Sequence, residues 1–152
     1  MSLETIVLAA ESGDEDVADR LAATAADIAD PSNAKIVLAH VFDDEEYENA
    51  RNRLNFTDDS EVTPSVIAER KAAVRDLGET LATSDVEVTT SGRLSNGASQ
   101  GRRLAELADE VDADMVVLGG RGRSPAGKAL FGSTAQEVML ESSCPVTFVR
   151  AA

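Results

Sequence analysis

The chain has 152 residues, 43% of them hydrophobic and only 3% aromatic, so Val, Leu, Ile and Ala must fill any core, as they do in parallel sheets covered on both faces. A chain of this length suits one domain spanning residues 1–152, able to bury roughly 70% of the surface exposed by its unfolded form. With 28 acidic residues against 14 basic ones, a net charge of −14, nonspecific binding to the polyanionic backbone of DNA or RNA is excluded as a role.

Residues 5–10 (Thr-Ile-Val-Leu-Ala-Ala) form a short apolar run with a β-branched bias, stopped by the turn residues of Glu11-Ser12-Gly13-Asp14, and predict the first strand. From Glu15, the positions Val17, Leu21, Ala25 and Ile28 recur at helical spacing. Asp14, Glu15 and Asp16 crowd the first turn, where the helix dipole favours anions. This predicts a helix ending near Asp30-Pro31. Residues 36–42 (Ile-Val-Leu-Ala-His-Val-Phe) have the near-continuous apolar character of a strand covered on both faces. Asp43 to Glu61 is acidic with little periodicity, and is expected to be one long variable loop with at most a loose helical turn. Thr63-Pro64 supplies an N-cap with proline at the first helical position. Ile67, Val74, Leu77 and Leu81 then predict one helix. Residues 86–90 predict a third strand, and Gly92 to Gly97 a turn-rich connection. Leu104, Leu107, Ala108 and Val111 mark a third amphipathic helix. Residues 115–118 predict a fourth strand. Beyond a glycine-rich loop, Ala135, Val138 and Met139 mark a fourth helix, and residues 146–149 a fifth strand introduced by Pro145. Strict alternation of strand and helix with right-handed crossovers gives a doubly wound α/β fold, a five-stranded parallel sheet between helices.

The lone cysteine, Cys144, cannot form an intramolecular bridge, and reads as a core thiol in a protein of the reducing cytoplasm. The N-terminal apolar run lacks a basic flank and is too short for a signal or a membrane span, so no membrane association is expected. Eleven of the basic residues are Arg and three are Lys (Lys35, Lys71, Lys128). Such an acidic, Lys-poor, Ala-rich balance is similar to that of proteins working in concentrated salt, where screening shrinks to about 3 Å at 1 M. An acidic protein of ordinary salinity has the same signature.

Ligands of doubly wound sheets bind beyond the carboxyl ends of the strands, where Gly119-Gly120-Arg121-Gly122 leaves the fourth strand. Gly119 and Gly122 allow close approach of backbone to ligand and can turn amides inward as an anion nest. Gly132-Ser133 opens the following helix, whose free amides and positive dipole end attract phosphate. Ser133 and Thr134 add hydroxyls. Arg121, Arg123 and Lys128 either offset phosphate charge or are solvated loop cations. His40, the only histidine, reads as a packed or hydrogen-bonded residue, since no second His or Cys supports a metal site.

The spacing Gly119, two residues, Gly122, nine residues, Gly132-Ser133 resembles the nucleotide signature of the universal stress protein family. The first strand followed by an acidic residue, the second ending in His40-Val41, and the closing Cys144-Pro145-Val146 strand fall in that family's order. The resemblance implies a Rossmann-like fold of the adenine nucleotide alpha hydrolase type and an adenine nucleotide ligand, ATP, ADP or AMP, with Mg2+ or Mn2+ bridging its phosphates. By position, Ala9 and Glu11 would sit near adenine and the Val41 backbone would read its edge. Leu118 and Gly119 would line the ribose side, and Gly122, Gly132, Ser133 and Thr134 would take phosphates, with Arg123 beside them. Glu11 stands where the family usually has Asp. The resemblance also implies a homodimer through the C-terminal strand, whose Val146, Phe148 and Val149 are apolar.

The resulting expectation is a nucleotide-binding protein of stress response and regulation with little or no hydrolysis. The sequence lacks the GxxxxGK[ST] pattern that would place a phosphate-coordinating lysine, and offers no evident catalytic residue. A weak ATP hydrolase or phosphotransferase, and a nucleotide-free dimeric interaction module, are the alternatives.

Overall fold

The computed structural model describes residues 3–10, 17–54, 63–120, 122–123, 129–130 and 132–150. Its main sheet contains β1 (Thr5–Ala9), β2 (Lys35–Phe42), β3 (Val88–Leu94), β4 (Met115–Gly120) and β7 (Val146–Arg150). These strands run parallel in the order β3-β2-β1-β4-β7, the expected five-stranded doubly wound sheet. A two-stranded antiparallel ribbon, β5 (Gly122–Arg123) and β6 (Ala129–Leu130), is additional. The helices are α1 (Ala18–Ser32), α2 (Asp44–Arg53), α3 (Pro64–Glu69), α4 (Ala72–Leu81), α5 (Gln100–Glu110) and α6 (Ser133–Glu141).

Side chains alternate across a strand, and β1 shows the result. Ile6 and Leu8 enter one core with Leu21 of α1 and Val74, Leu77 and Leu81 of α4. Val7 and Ala9 enter the other with Leu104 and Leu107 of α5 and Val138 of α6. A third, smaller cluster of Phe42, Ile67 and Ala68, with Tyr47, Ala50 and Leu54 against it, docks α2 and α3 beside the end of β2.

That third cluster explains two departures from the sequence reading. The span 63–81 is two helices: Ile67 and Ala68 pack under Phe42, while Val74, Leu77 and Leu81 join the separate cluster of Ile36, Leu38 and Leu21. The break falls at Lys71, whose backbone is extended. The acidic segment after β2 contains α2, capped by Asp43, whose carboxylate accepts from the Glu46 amide at 2.7 Å. Asp44, Glu45 and Glu46 occupy its first turn and Arg51 and Arg53 its last, matching the helix dipole at both ends.

Helix α1 continues through Pro31 to Ser32 and ends at a left-handed Asn33, φ 55°, whose amide reaches the Ala29 and Asp30 carbonyls. The acidic group Asp14–Asp16 lies outside the described residues. Strand β3 also runs later than expected, so Gly92 belongs to the strand and not to a turn. A side chain there would collide with the Pro64 carbonyl of α3, and the Gly92 amide donates to Ser65 Oγ at 3.0 Å. The turn itself is made by Asn96 and Gly97, both at positive φ. Cys144 is half-buried against the α5–α6 core, its amide donating to Ser142 Oγ.

Candidate functional site

At the carboxyl ends of β1 and β2 lies a cavity of about 350 Å³, lined by Ala9, Ala10, Ala39, His40, Val41, Asp43, Glu46, Lys71, Gln100 and Leu104. It is within the size range of small-molecule sites, roughly 300–1,000 Å³. Three alanines explain the space: larger side chains at positions 9, 10 and 39 would fill it. The register pairs Ala9 with Ala39, so both point to the α5 side together.

Strand β2 outruns β1, and this gives the cavity its polar feature. In a parallel sheet, alternate residues of a strand address opposite neighbours. Ala39 addresses β1, its carbonyl accepting from the Ala10 amide at 2.8 Å. Phe42 addresses the β3 side, its carbonyl accepting from Ser95. Val41 therefore turns its carbonyl toward β1, past the end of that strand. The side-chain amide of Gln100, the first residue of α5, donates to this carbonyl at 2.9 Å.

The opposite wall is a chain of polar groups. His40 is 4% exposed; its Nδ1 donates to the Ala10 carbonyl at 2.6 Å, and its Nε2 lies 2.7 Å from Glu46 Oε2. Lys71 Nζ is 3.0 Å from the same oxygen. Burial pushes the Glu46 carboxyl up, but the hydrogen bond and charge of His40, then those of Lys71, outweigh it and hold Glu46 below its ordinary value of 4.5. The chain links β1, β2, α2 and the start of α4.

The glycine loop forms a second half of the region. From β4, Gly122 and Arg123 pair in antiparallel fashion with Leu130 and Ala129, returning the chain to Gly132, the N-cap of α6 at φ 29°. Among the described residues no side chain caps the α6 amides, and a Cβ at Gly132 would meet none of their atoms within 4 Å. Ser133 is exposed and Thr134 half-buried.

Among the sequence-predicted residues, Ala9 and Val41 line the cavity. Leu118, 4% exposed, is buried in the α5–α6 core. Gly119 is packed rather than open, since a Cβ there would lie 3.1 Å from Val17 Cγ1 and 3.2 Å from the Val149 carbonyl. Its lack of a side chain lets α1 sit on β4. Gly122, Gly132, Ser133 and Thr134 cluster at the ribbon and the start of α6, and Arg123 is described by its backbone. Glu11, Arg121 and Lys128 lie outside the described residues. The sequence reading missed Glu46, Lys71 and Gln100. The Asp43-x-x-Glu46 capping pattern could have revealed α2 and with it Glu46; no sequence signal places Gln100 beside Val41.

Among the described residues no group of three or more His, Cys, Asp or Glu side chains could hold a metal, and no helix is long and apolar enough to cross a membrane.

Solved structures with this fold include a universal stress protein in complex with cAMP, 23% identical, TM-score 0.66, covering all of both chains. Another is the universal stress protein from Archaeoglobus fulgidus in complex with dAMP, 21% identical, TM-score 0.68, covering 99% of this chain and 100% of that one. A curated universal stress protein of Mycolicibacterium smegmatis is 41% identical over 54 residues, a match spanning 36% of this chain and 42% of that protein. The model of the universal stress protein family matches residues 3–150, and the chain belongs to that family.

Proposed function

We propose that this protein binds an adenine nucleotide, ATP, ADP or AMP, across the carboxyl ends of β1, β2 and β4. In this reading it acts in the cytoplasm as a regulatory protein of stress response with little or no hydrolysis. The observation that carries the reading is the alanine-floored cavity toward which the Val41 carbonyl is turned: flat apolar space beside a backbone acceptor suits a purine carrying an exocyclic amine. The cAMP and dAMP complexes of the structural relatives support adenine as the base.

From the base, the nucleotide would extend past Gly119 to the ribbon, where the Gly122 and Gly132 backbone, the uncapped amides of α6 and the Ser133 and Thr134 hydroxyls suit phosphate. Mg2+ or Mn2+ would ride on the phosphates themselves. Hydroxyls and amides hold phosphate oxygens without activating water, which favours a holder over a hydrolase. Strand β7 lies at an edge of the sheet with Val146 and Phe148 only partly buried. An apolar strand edge is a template for further pairing, and a second copy pairing there would give a homodimer.

Mass spectrometry of small molecules released from freshly purified protein, followed by calorimetry with ATP and Mg2+ in 0.1 M and molar KCl, tests the reading. A bound adenine nucleotide or one saturable site per chain is expected, with phosphate release at background. Protein that neither carries nor binds any adenine nucleotide overturns it.

A further inference from the structure

We propose that the cleft between α2, α3 and α4 is a second binding site, one for a phosphate monoester with an apolar body. The inference goes beyond the nucleotide reading and does not depend on it.

The cleft encloses about 510 Å³, within the range of small-molecule sites, and its lining runs against the charge of the rest of the chain. The molecule carries 28 acidic residues and 14 basic ones, yet Arg53, Arg70, Lys71 and Arg75 all line this one space. They come from separate elements: Arg53 ends α2, Arg70 and Lys71 form the junction of α3 with α4, and Arg75 stands in the first turn of α4. The lining also holds Asp43, Glu45 and Glu46. Two of these are engaged, Asp43 in capping α2 and Glu46 with His40 and Lys71. That leaves Glu45 against three guanidiniums. Among the described residues neither Arg53 nor Arg75 is held in an ion pair.

The chemistry of the lining selects the ligand. A guanidinium offers a planar fork to an oxyanion. A carboxylate has two oxygens and occupies one fork, whereas a phosphate monoester has three terminal oxygens and a charge of about −1.5 to −2 at pH 7, enough for forks arriving from two helices. Ala50, Leu54 and Ile67 add an apolar wall that inorganic phosphate would leave unused and an apolar ester would cover. Asp43, Glu46 and Lys71 also line the cavity at the ends of β1 and β2, so the two spaces share a wall; Arg53, Arg70 and Arg75 belong to the cleft alone.

The test is a titration of the full 15N-labelled chain with phenyl phosphate in 0.1 M KCl, followed by amide chemical shifts, with phenol and inorganic phosphate as controls. Saturable shifts grouped at residues 50–54 and 70–75 are expected, with none from phenol and several-fold weaker binding of inorganic phosphate. Arg53→Ala/Arg75→Ala should bind phenyl phosphate roughly tenfold or more weakly, the worth of lost hydrogen bonds to a charged group. Both arginines are exposed, so the variant keeps its fold, as thermal melts would check; Arg75→Gln alone, expected to lose several-fold, repeats the comparison. Arg20→Ala/Arg102→Ala removes the same charge from exposed positions elsewhere and should leave the affinity unchanged. Equal losses in the two double variants would overturn the proposal, because attraction to scattered surface charge would then account for binding. Shifts confined to Ala9, Ala10 and Ala39 would overturn it by placing the ester in the other cavity. Phenol binding as tightly as its phosphate, or a titration that never saturates, would do the same.

Discussion

The two halves of the candidate site are built by different means. Around the cavity, buried side chains interlock: His40, Glu46 and Lys71 join four elements, and Gln100 ties α5 to β2. At the ribbon and the start of α6 the described features are backbone, a glycine in an unusual conformation, uncapped amides and an exposed serine. A shape-selective pocket needs preformed walls, whereas an anion needs only donors and a positive dipole end. The base half should therefore respond to mutation through stability and selectivity, and the phosphate half through affinity for charge.

Substitution at Gly92 should break the base half most severely. An added methyl meets the Pro64 backbone, so Gly92→Ala must displace α3 and should cost about 3 kcal/mol, the upper end for overpacking, read as a lowered urea midpoint.

Glu46→Gln comes next and probes the wall of polar groups. It keeps the shape but leaves His40 and Lys71 without their carboxylate, and should cost about 1.5–3 kcal/mol at pH 7, the range for hydrogen bonds to charged groups. The folded pKa of Glu46 is lowered, so its stabilising contribution is complete above the ordinary value of 4.5 and is lost as pH falls through the lowered one. The gap in stability between wild type and variant should close as pH falls below 4.5. A gap that persisted at full size well below 4.5 would contradict the arrangement.

The phosphate half should yield the smallest structural effect. At Gly132 there is room for a methyl, and the cost comes from a backbone at φ 29°, about 1–2 kcal/mol for an L-residue on the left-handed side. Gly132→Ala should weaken ATP much more than adenosine in calorimetry. Equal weakening of both would erase the division between the halves.

The sheet was legible from the sequence because each strand is a dense apolar run closed by turn residues, as in residues 5–10 and 36–42. The glycine spacing was legible because it is local. What escaped depends on contacts between distant residues. Periodicity alone could not show that Ile67 and Val74 serve different cores, so one helix was expected where Lys71 divides two. Low hydrophobicity concealed α2, whose stability comes from capping, dipole-matched charge and a few contacts to Phe42. Gln100 looks like any exposed helix residue until the fold brings it to a strand 59 positions away. Gly119 has a packing role that the spacing does not announce. Its place in the signature suggests ligand contact, and the fold shows a tight seat for Val17 and Leu21.

The Val41 acceptor arises from a difference in strand length. Because β1 ends at Ala9 while β2 continues to Phe42, the Val41 carbonyl lies beyond the end of β1, and every amino acid carries that oxygen. Replacing the valine by isoleucine or threonine would change the packing and keep the acceptor. Extending β1 by two paired residues would abolish it without touching position 41, so the trait belongs to the chain's geometry and would survive extensive drift of the side chains around it.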